Sequence, residues 1–251
     1  MGKFDWFWKA MGSTAERNNK KSKGIVSQAH ELIAGYEQYS DAQIAEAVRG
    51  TVANGEIQKK PEFLALLTVA SSRTLGMTPF EVQNQAVLRL LEGDVIQMAT
   101  GEGKTLVGAM AATGFALTGK RVHVITVNNY LAHRDAEWMR PLVEFFGLTV
   151  ASVTEASTRE ERVAAYKSDI VYAPVSEVGF DHLRDNQITH RSQTVQVPAD
   201  VALVDEADSV LVDEALVPLV LAGSKPGEQA TGQITEAVSH LVEGNCLLYT
   251  S

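Results

Sequence analysis

Between residues 25 and 75 apolar positions recur three and four residues apart, the spacing of one face of an α-helix. SQAHELIAGYEQ and SDAQIAEAVRG follow this rule, and Ser40 or Asp41 is placed to cap the second. KPEFLALLTVASSRTLG predicts a third helix, ended near Gly76, because glycine accepts the left-handed turn that closes a helix. PFEVQNQAVLRLLEG predicts a fourth, with Pro79 near its first turn and Gly93 near its end.

The period then changes. DVIQMA, KRVHVITV, LTVASVT, SDIVYAP and DVALVDEAD are short apolar runs that predict strands. Between them lie LVGAMAATGFALTG, NNYLAHRDAEWMRPLVEFFG, TREERVAAYK and SEVGFDHLRDNQ, all of helical pattern. Strand and helix alternating at this length predict a parallel sheet covered on both faces. The expected class is α/β, preceded by an N-terminal helical segment. Beyond Gly223, GSKPGEQATGQ is loop-like and TEAVSHLVEG predicts one more helix.

Between the run DVIQMA and its helix stands TGEGKT, residues 100–105. A glycine inside a helix costs about 1 kcal/mol relative to alanine, so Gly101 and Gly103 serve what precedes the helix. They allow a sharp turn, with Thr100 and Glu102 beside them, that brings backbone N–H groups close to a ligand. The following helix points its positive end at the same place. A phosphate fits both. Lys104 adds a point charge for the β- and γ-phosphates, and Thr105 offers a hydroxyl to Mg²⁺. Met98 stands where G-x-x-x-x-G-K-[ST] has its first glycine, so the reading rests on the order strand, loop, helix. The expected fold is that of a P-loop NTPase.

A magnesium-nucleotide site needs an acidic pole. VDEAD occupies residues 204–208 and VDEA recurs at 212–215. Asp205 ends the short run VALV, where open α/β sheets place ligands, and suits Mg²⁺. Glu206 is placed to orient or deprotonate the attacking water. Asp213 and Glu214 of the second copy read as solvated or structural, with a relay as the other role. Gln83, upstream in MTPFEVQ, has an amide that complements adenine, and equally fits a plain surface glutamine.

Composition narrows the functions. Among 251 residues, 31 acidic and 22 basic ones give a net charge of -9, which argues against a general nucleic-acid binder. The single Cys246 supports neither a disulfide framework nor a cysteine-rich metal site. No apolar run reaches membrane-spanning length, and the opening residues lack the apolar core of a signal peptide. Residues 1–24 hold six basic residues against two acidic ones, with Phe4, Trp6, Phe7 and Trp8 among them. Such a segment packs its aromatics on the body of the protein, or docks on anionic lipid or a partner.

MTPFEVQ, QMATGEGKT, TVNNYLAHRDAEW, GFDHLRDN and LVDEADSVLVDEA together resemble the first nucleotide-binding domain of SecA, the preprotein translocase ATPase. PVSE stands at 174–177 where major SecA proteins have TNNE, and Leu216 and Val217 where they have Arg-Thr. VSEVGFDHLRD and DEALVPLVLAG look more like the accessory SecA of actinobacteria. The resemblance implies a RecA-like motor domain with ATP and Mg²⁺ as cofactors. It implies Gln83 on adenine; Thr100, Gly101, Glu102, Gly103, Lys104 and Thr105 around the phosphates; Thr105 and Asp205 on Mg²⁺; and Asp205, Glu206 and Lys104 in hydrolysis. Arg134, otherwise an ordinary helix arginine, is implied near the nucleotide. Thr78 replaces an arginine that major SecA proteins place near adenine.

The implied domain plan is a helical segment over 1–76, an incomplete first motor domain over 77–223 and the start of the preprotein-crosslinking insertion over 224–245. Residues 246–251, CLLYTS, fall outside the family pattern and read as a truncated or artefactual end. In the family the first motor domain resumes after the insertion, and a second motor domain follows with an arginine finger. Implied partners are preproteins, a SecYEG-type channel and anionic lipids, with no nucleic acid and with a homodimer of the full-length parent left open. The implied location is cytoplasmic, peripheral on the inner face of the cell membrane. The main alternative is a DEAD-type RNA helicase motor, which shares the Gln and DEAD motifs; a non-catalytic nucleotide-binding module is a third class.

Overall fold

The computed structural model describes residues 14–53 and 55–220. The chain divides into two units, Met1–Pro218 and Leu219–Ser251, and every described helix and strand belongs to the first. The segment bearing Phe4, Trp6, Phe7 and Trp8, the predicted helix TEAVSHLVEG and the regions 224–245 and 246–251 lie outside the described residues.

Four helices come first: α1 (Thr14–Tyr36), α2 (Asp41–Val52), α3 (Pro61–Leu75) and α4 (Glu81–Leu91). Ser40 caps α2 reciprocally: its Oγ accepts from Gln43 N–H at 3.3 Å, while Gln43 Oε1 accepts from Ser40 N–H at 2.8 Å. Gly76 ends α3 at a φ of 67°. Pro79 does not enter α4. The Phe80 N–H is taken by Gln83 Oε1 at 2.8 Å, which makes Phe80 the cap and leaves Pro79 in the extended approach. α3 is buried continuously from Phe63 to Ser71, so it forms the centre of the helical layer. Around it pack Val26 of α1, Ile44 and Val48 of α2, and Val87 and Leu88 of α4.

The second half is α5 (Lys104–Leu117), β1 (Val122–Thr126), α6 (Asn129–Phe145), β2 (Val150–Ser152), α7 (Arg159–Ala165), β3 (Ile170–Pro174), α8 (Val175–Asp185) and β4 (Val201–Val204). The strands form one parallel sheet in the order β2-β3-β1-β4, with Val122 paired to Ile170 on one side and Val201 on the other. β1 and β3 are buried throughout, as central strands of a two-faced sheet must be. Side chains alternate across it. Val124, Ile170 and Tyr172 meet Ala112 and Ala116 of α5 and Ala132, Ala136 and Val143 of α6. Val171 and Ala173 meet Ala165 of α7 and Tyr166 just after it, with Val195. On this second face α7 and α8 are joined through the buried Arg162, Glu177 and Asp181.

One predicted strand is absent. Residues 94–99, the run DVIQMA, belong to no sheet. Its sides still alternate: Ile96 and Met98 pack on the helical core, while Val95 is 95% exposed. Alternation specifies an extended chain, but a strand also requires a ladder partner. β4 is the edge of the observed sheet, and its outer side is not paired with this run. Among the described residues no helix is long and apolar enough to cross a membrane.

Candidate nucleotide site

Connectivity brings the predicted residues to one end of the sheet. The C-terminus of α5 lies only a few residues before β1, so α5 runs antiparallel to β1 and its N-terminus lies beside the carboxyl end of that strand. α6 starts at the same end, just after Thr126. Asp205 follows β4 and extends its pairing by one bond, its N–H donating to Ile125 O at 2.9 Å. Lys104, Arg134 and Asp205 therefore share the carboxyl edge of an open parallel sheet, where such folds bind ligands.

The loop before α5 has the backbone its glycines suggest. Gly101 and Gly103 take φ of 85° and 77°. Glu102 N–H donates to Ala99 O at 3.3 Å, and Ala99 N–H returns a bond to Glu102 Oε2 at 2.7 Å, so the turn through Thr100 closes on itself. Gly103 is the N-cap of α5, and no side chain caps that helix. The first-turn amides, including those of Lys104 and Thr105, are thereby available to an anion.

Gln83 is a buried residue, 6% exposed, and not a surface one. Its Oε1 accepts from Phe80 N–H at 2.8 Å and its Nε2 donates to Glu102 O at 2.8 Å. One lone pair and one N–H remain, the pair that an adenine edge requires. A Cβ on Gly103 would overlap Gln83 Nε2. Gly103→Ala is thus expected to lose about 1–3 kcal/mol from a strained φ and the displaced amide. Urea unfolding checks this; a change below about 0.5 kcal/mol, within the range of an ordinary surface substitution, would refute it.

The acidic pole is compact. Glu206 N–H donates to Asp205 Oδ1 at 2.9 Å. Glu206 itself takes φ of 50°, the left-handed region, one of two described non-glycine residues to do so. That conformation costs roughly 1–2 kcal/mol and marks positions where backbone strain and function coincide. Asp213 closes a π-helical turn, Ser209–Asp213, and Glu214 follows; both are exposed. Arg134 lies on the second turn of α6. Its Nε donates to Asp135 Oδ1 at 2.8 Å, and its guanidinium sits 5.7 Å from the Tyr130 ring centroid. Asp135 is a site neighbour the sequence reading missed. Its place on the apolar stripe of α6, three residues after Ala132 and four before Met139, was the available signal.

The donor set fits a magnesium nucleotide. Two glycines at positive φ, leading into a helix that no side chain caps, suit a phosphate. The Thr105 hydroxyl and Asp205 carboxylate are hard oxygen donors, and Mg²⁺ commonly takes only one or two such protein ligands besides phosphate oxygens and water. Among the described residues no group of three or more His, Cys, Asp or Glu side chains converges.

A helix-flanked parallel sheet with a glycine-rich loop opening α5 and an acid pair after β4 defines a P-loop NTPase of the RecA-like kind. The sequence comparison narrows this further: the SecA DEAD-like domain matches residues 7–245, and the chain belongs to that family. It is 60% identical over 245 residues to the Protein translocase subunit SecA 2 of Corynebacterium glutamicum (strain R), covering 98% of this chain and 32% of that protein. The SecA 3 of Mycolicibacterium vanbaalenii is 50% identical over 239 residues, covering 94% and 30%. The SecA of Mycobacterium avium is 49% identical over 240 residues, covering 95% and 31%. The chain thus spans about a third of the length of these relatives.

Proposed function

We propose that this chain is the N-terminal ATP-binding part of a SecA-type ATPase that couples ATP hydrolysis to export of preproteins through a membrane translocase. The observation that carries the reading is the uncapped N-terminus of α5, cradled by Gly101 and Gly103 and sharing the sheet's carboxyl edge with Asp205. The relatives are named as protein translocase subunits, which points the motor toward polypeptide. In this reading Lys104 and the loop amides hold the phosphates and Gln83 reads adenine. Thr105 and Asp205 hold Mg²⁺, which when bound neutralises phosphate charge. Glu206 accepts the proton of the attacking water, and Arg134 lies against the nucleotide. The working partners are preproteins and a SecYEG-type channel, reached from the cytoplasmic face. Alone, the chain hydrolyses ATP slowly, because a single wall of the site does not neutralise charge developing on the transferred group.

The expected result is that the 251-residue chain binds Mg·ATP and that Lys104→Ala weakens binding by roughly 10- to 100-fold, the worth of one to two charge-assisted contacts. Calorimetry measures it, and unchanged affinity removes Lys104 from the phosphates. The export reading is checked by grafting residues 7–245 in place of the matching part of the Corynebacterium glutamicum relative. Hydrolysis stimulated by preprotein supports it, whereas hydrolysis stimulated by RNA turns the assignment to a helicase.

A further inference from the structure

The buried stripe of α6 is Ala132, Asp135, Ala136, Met139, Leu142 and Val143, and Asp135 is its one ionisable member, 3% exposed. Across from it lie Val124 and Tyr172, in a layer made mostly of aliphatic side chains, with the Tyr172 phenol near the Asp135 charge. An aliphatic residue would complete that layer, whereas a carboxylate there is unfavourable unless paired. The pairing is unusual in kind. Asp135 bonds its own sequence neighbour, Arg134, through Nε at 2.8 Å, and Nη2 lies 2.7 Å from the same oxygen, Oδ1. Adjacent residues on a helix do not face one another, so the arginine must fold back to make this contact. Such a pair fastens no two elements together. Its effect is confined to the arginine, which it fixes against the Tyr130 ring on the second turn of α6, at the carboxyl edge.

We propose that Asp135 is a positioning residue: it holds the Arg134 guanidinium in place for the phosphates of a bound nucleotide and acts on them only through that arginine. This rests on the reading of the carboxyl edge as the nucleotide site. Burial pushes the Asp135 carboxyl up, Arg134 pulls it down, and the Asp205 charge raises it, so Asp135 and the acidic pole share one neighbourhood.

The test is a double-mutant cycle on the 251-residue chain, titrated with a non-hydrolysable Mg·ATP analogue, with thermal melts alongside. Asp135→Asn is expected to weaken binding roughly five- to twentyfold, and less than about twofold when Arg134→Ala is already present, with the melting temperature held within about 3 °C. Equal losses in both backgrounds, no loss, or a loss that follows a lowered melting temperature would overturn the proposal. Arg134→Lys, which keeps a cation beside the buried Asp135 at a half-exposed position, gives a second reading, with its melting temperature held to the same limit. Lysine keeps the charge but not the fork, so it should bind about as weakly as Arg134→Ala; wild-type affinity overturns the proposal. Lys104→Ala separates the two levels. If the wild-type chain binds in a Lys104-dependent way and the cycle is additive, only the positioning role fails. If the wild-type chain does not bind, both readings fail.

Discussion

Replacing Glu206 by glutamine in the grafted full-length motor is expected to lower turnover by about 10²- to 10⁴-fold and to leave Mg·ATP affinity nearly unchanged. The amide keeps the size and the hydrogen-bonding reach of the carboxylate but accepts no proton from water. It also keeps the backbone demand, since glutamine is no easier than glutamate at a φ of 50°. The comparison therefore isolates the chemical step from the strain. Asp205→Asn should behave differently and weaken Mg²⁺-dependent binding itself, because in the proposed reading Asp205, at the strand end, is the metal's carboxylate. Rapid-quench hydrolysis with separate nucleotide titrations distinguishes the two. Near-normal turnover in Glu206→Gln would move the base elsewhere, and Asp208 is the first residue to examine.

The parts of this arrangement that are local in sequence were legible in it. Ser40 and Gln43 cap α2 from three residues apart, and Gly76 stops α3. The order of helices and strands, the parallel sheet and the loop glycines at 101 and 103 follow from periodicity and from glycine's access to positive φ. What pattern could not give was pairing. The run at 94–99 has the alternation of a strand without a ladder partner, because alternation describes a chain's two sides and says nothing of what lies along its edge. Pro79 lies near the first turn of α4 but just outside it, because the cap depends on the Gln83 side chain turning back to Phe80. That turn also buries Gln83 and ties it to the loop at Glu102, some twenty residues on, a contact only the tertiary fold makes. Asp135 was overlooked because HRD reads as a polar triplet. Its position on the buried stripe shows only when the helix is phased by Ala132 and Met139.

The largest expected loss of stability lies away from the glycine loop. Asp181, in GFDHLRDN, is fully buried and accepts four donors. Arg162 Nη1 at 2.9 Å and Tyr166 Oη at 2.8 Å reach Oδ2, while Arg184 Nη2 at 2.5 Å and Nε at 3.2 Å reach Oδ1. Arg162 spends its other donors on Glu177 at 2.7 Å, Ser157 O at 3.0 Å and Thr154 O at 2.7 Å. Burial, with Asp181 adding to it, pushes the Tyr166 hydroxyl up, which keeps it a donor at any ordinary pH. The two arginines and two carboxylates balance. Asp181→Ala leaves one positive charge in excess and Tyr166 without its acceptor, and Arg184, half exposed, turns to water while Arg162 cannot. Removing one partner of a buried pair costs about 3–5 kcal/mol, roughly a fifth or more of the stability of a domain holding about 5–15 kcal/mol. The damage should reach the acidic pole. Asp185, one turn further along α8, accepts the N–H groups of Val195 and Gln196 at 2.8 Å each, and this segment leads directly into β4. A loosened α8 therefore loosens the strand that presents Asp205. Urea unfolding should show the loss of about 3–5 kcal/mol, with Mg·ATP affinity reduced at temperatures where the variant is still folded. A loss under about 1 kcal/mol would mean that Glu177 alone suffices for Arg162 and that the cluster does not hold α8 in place.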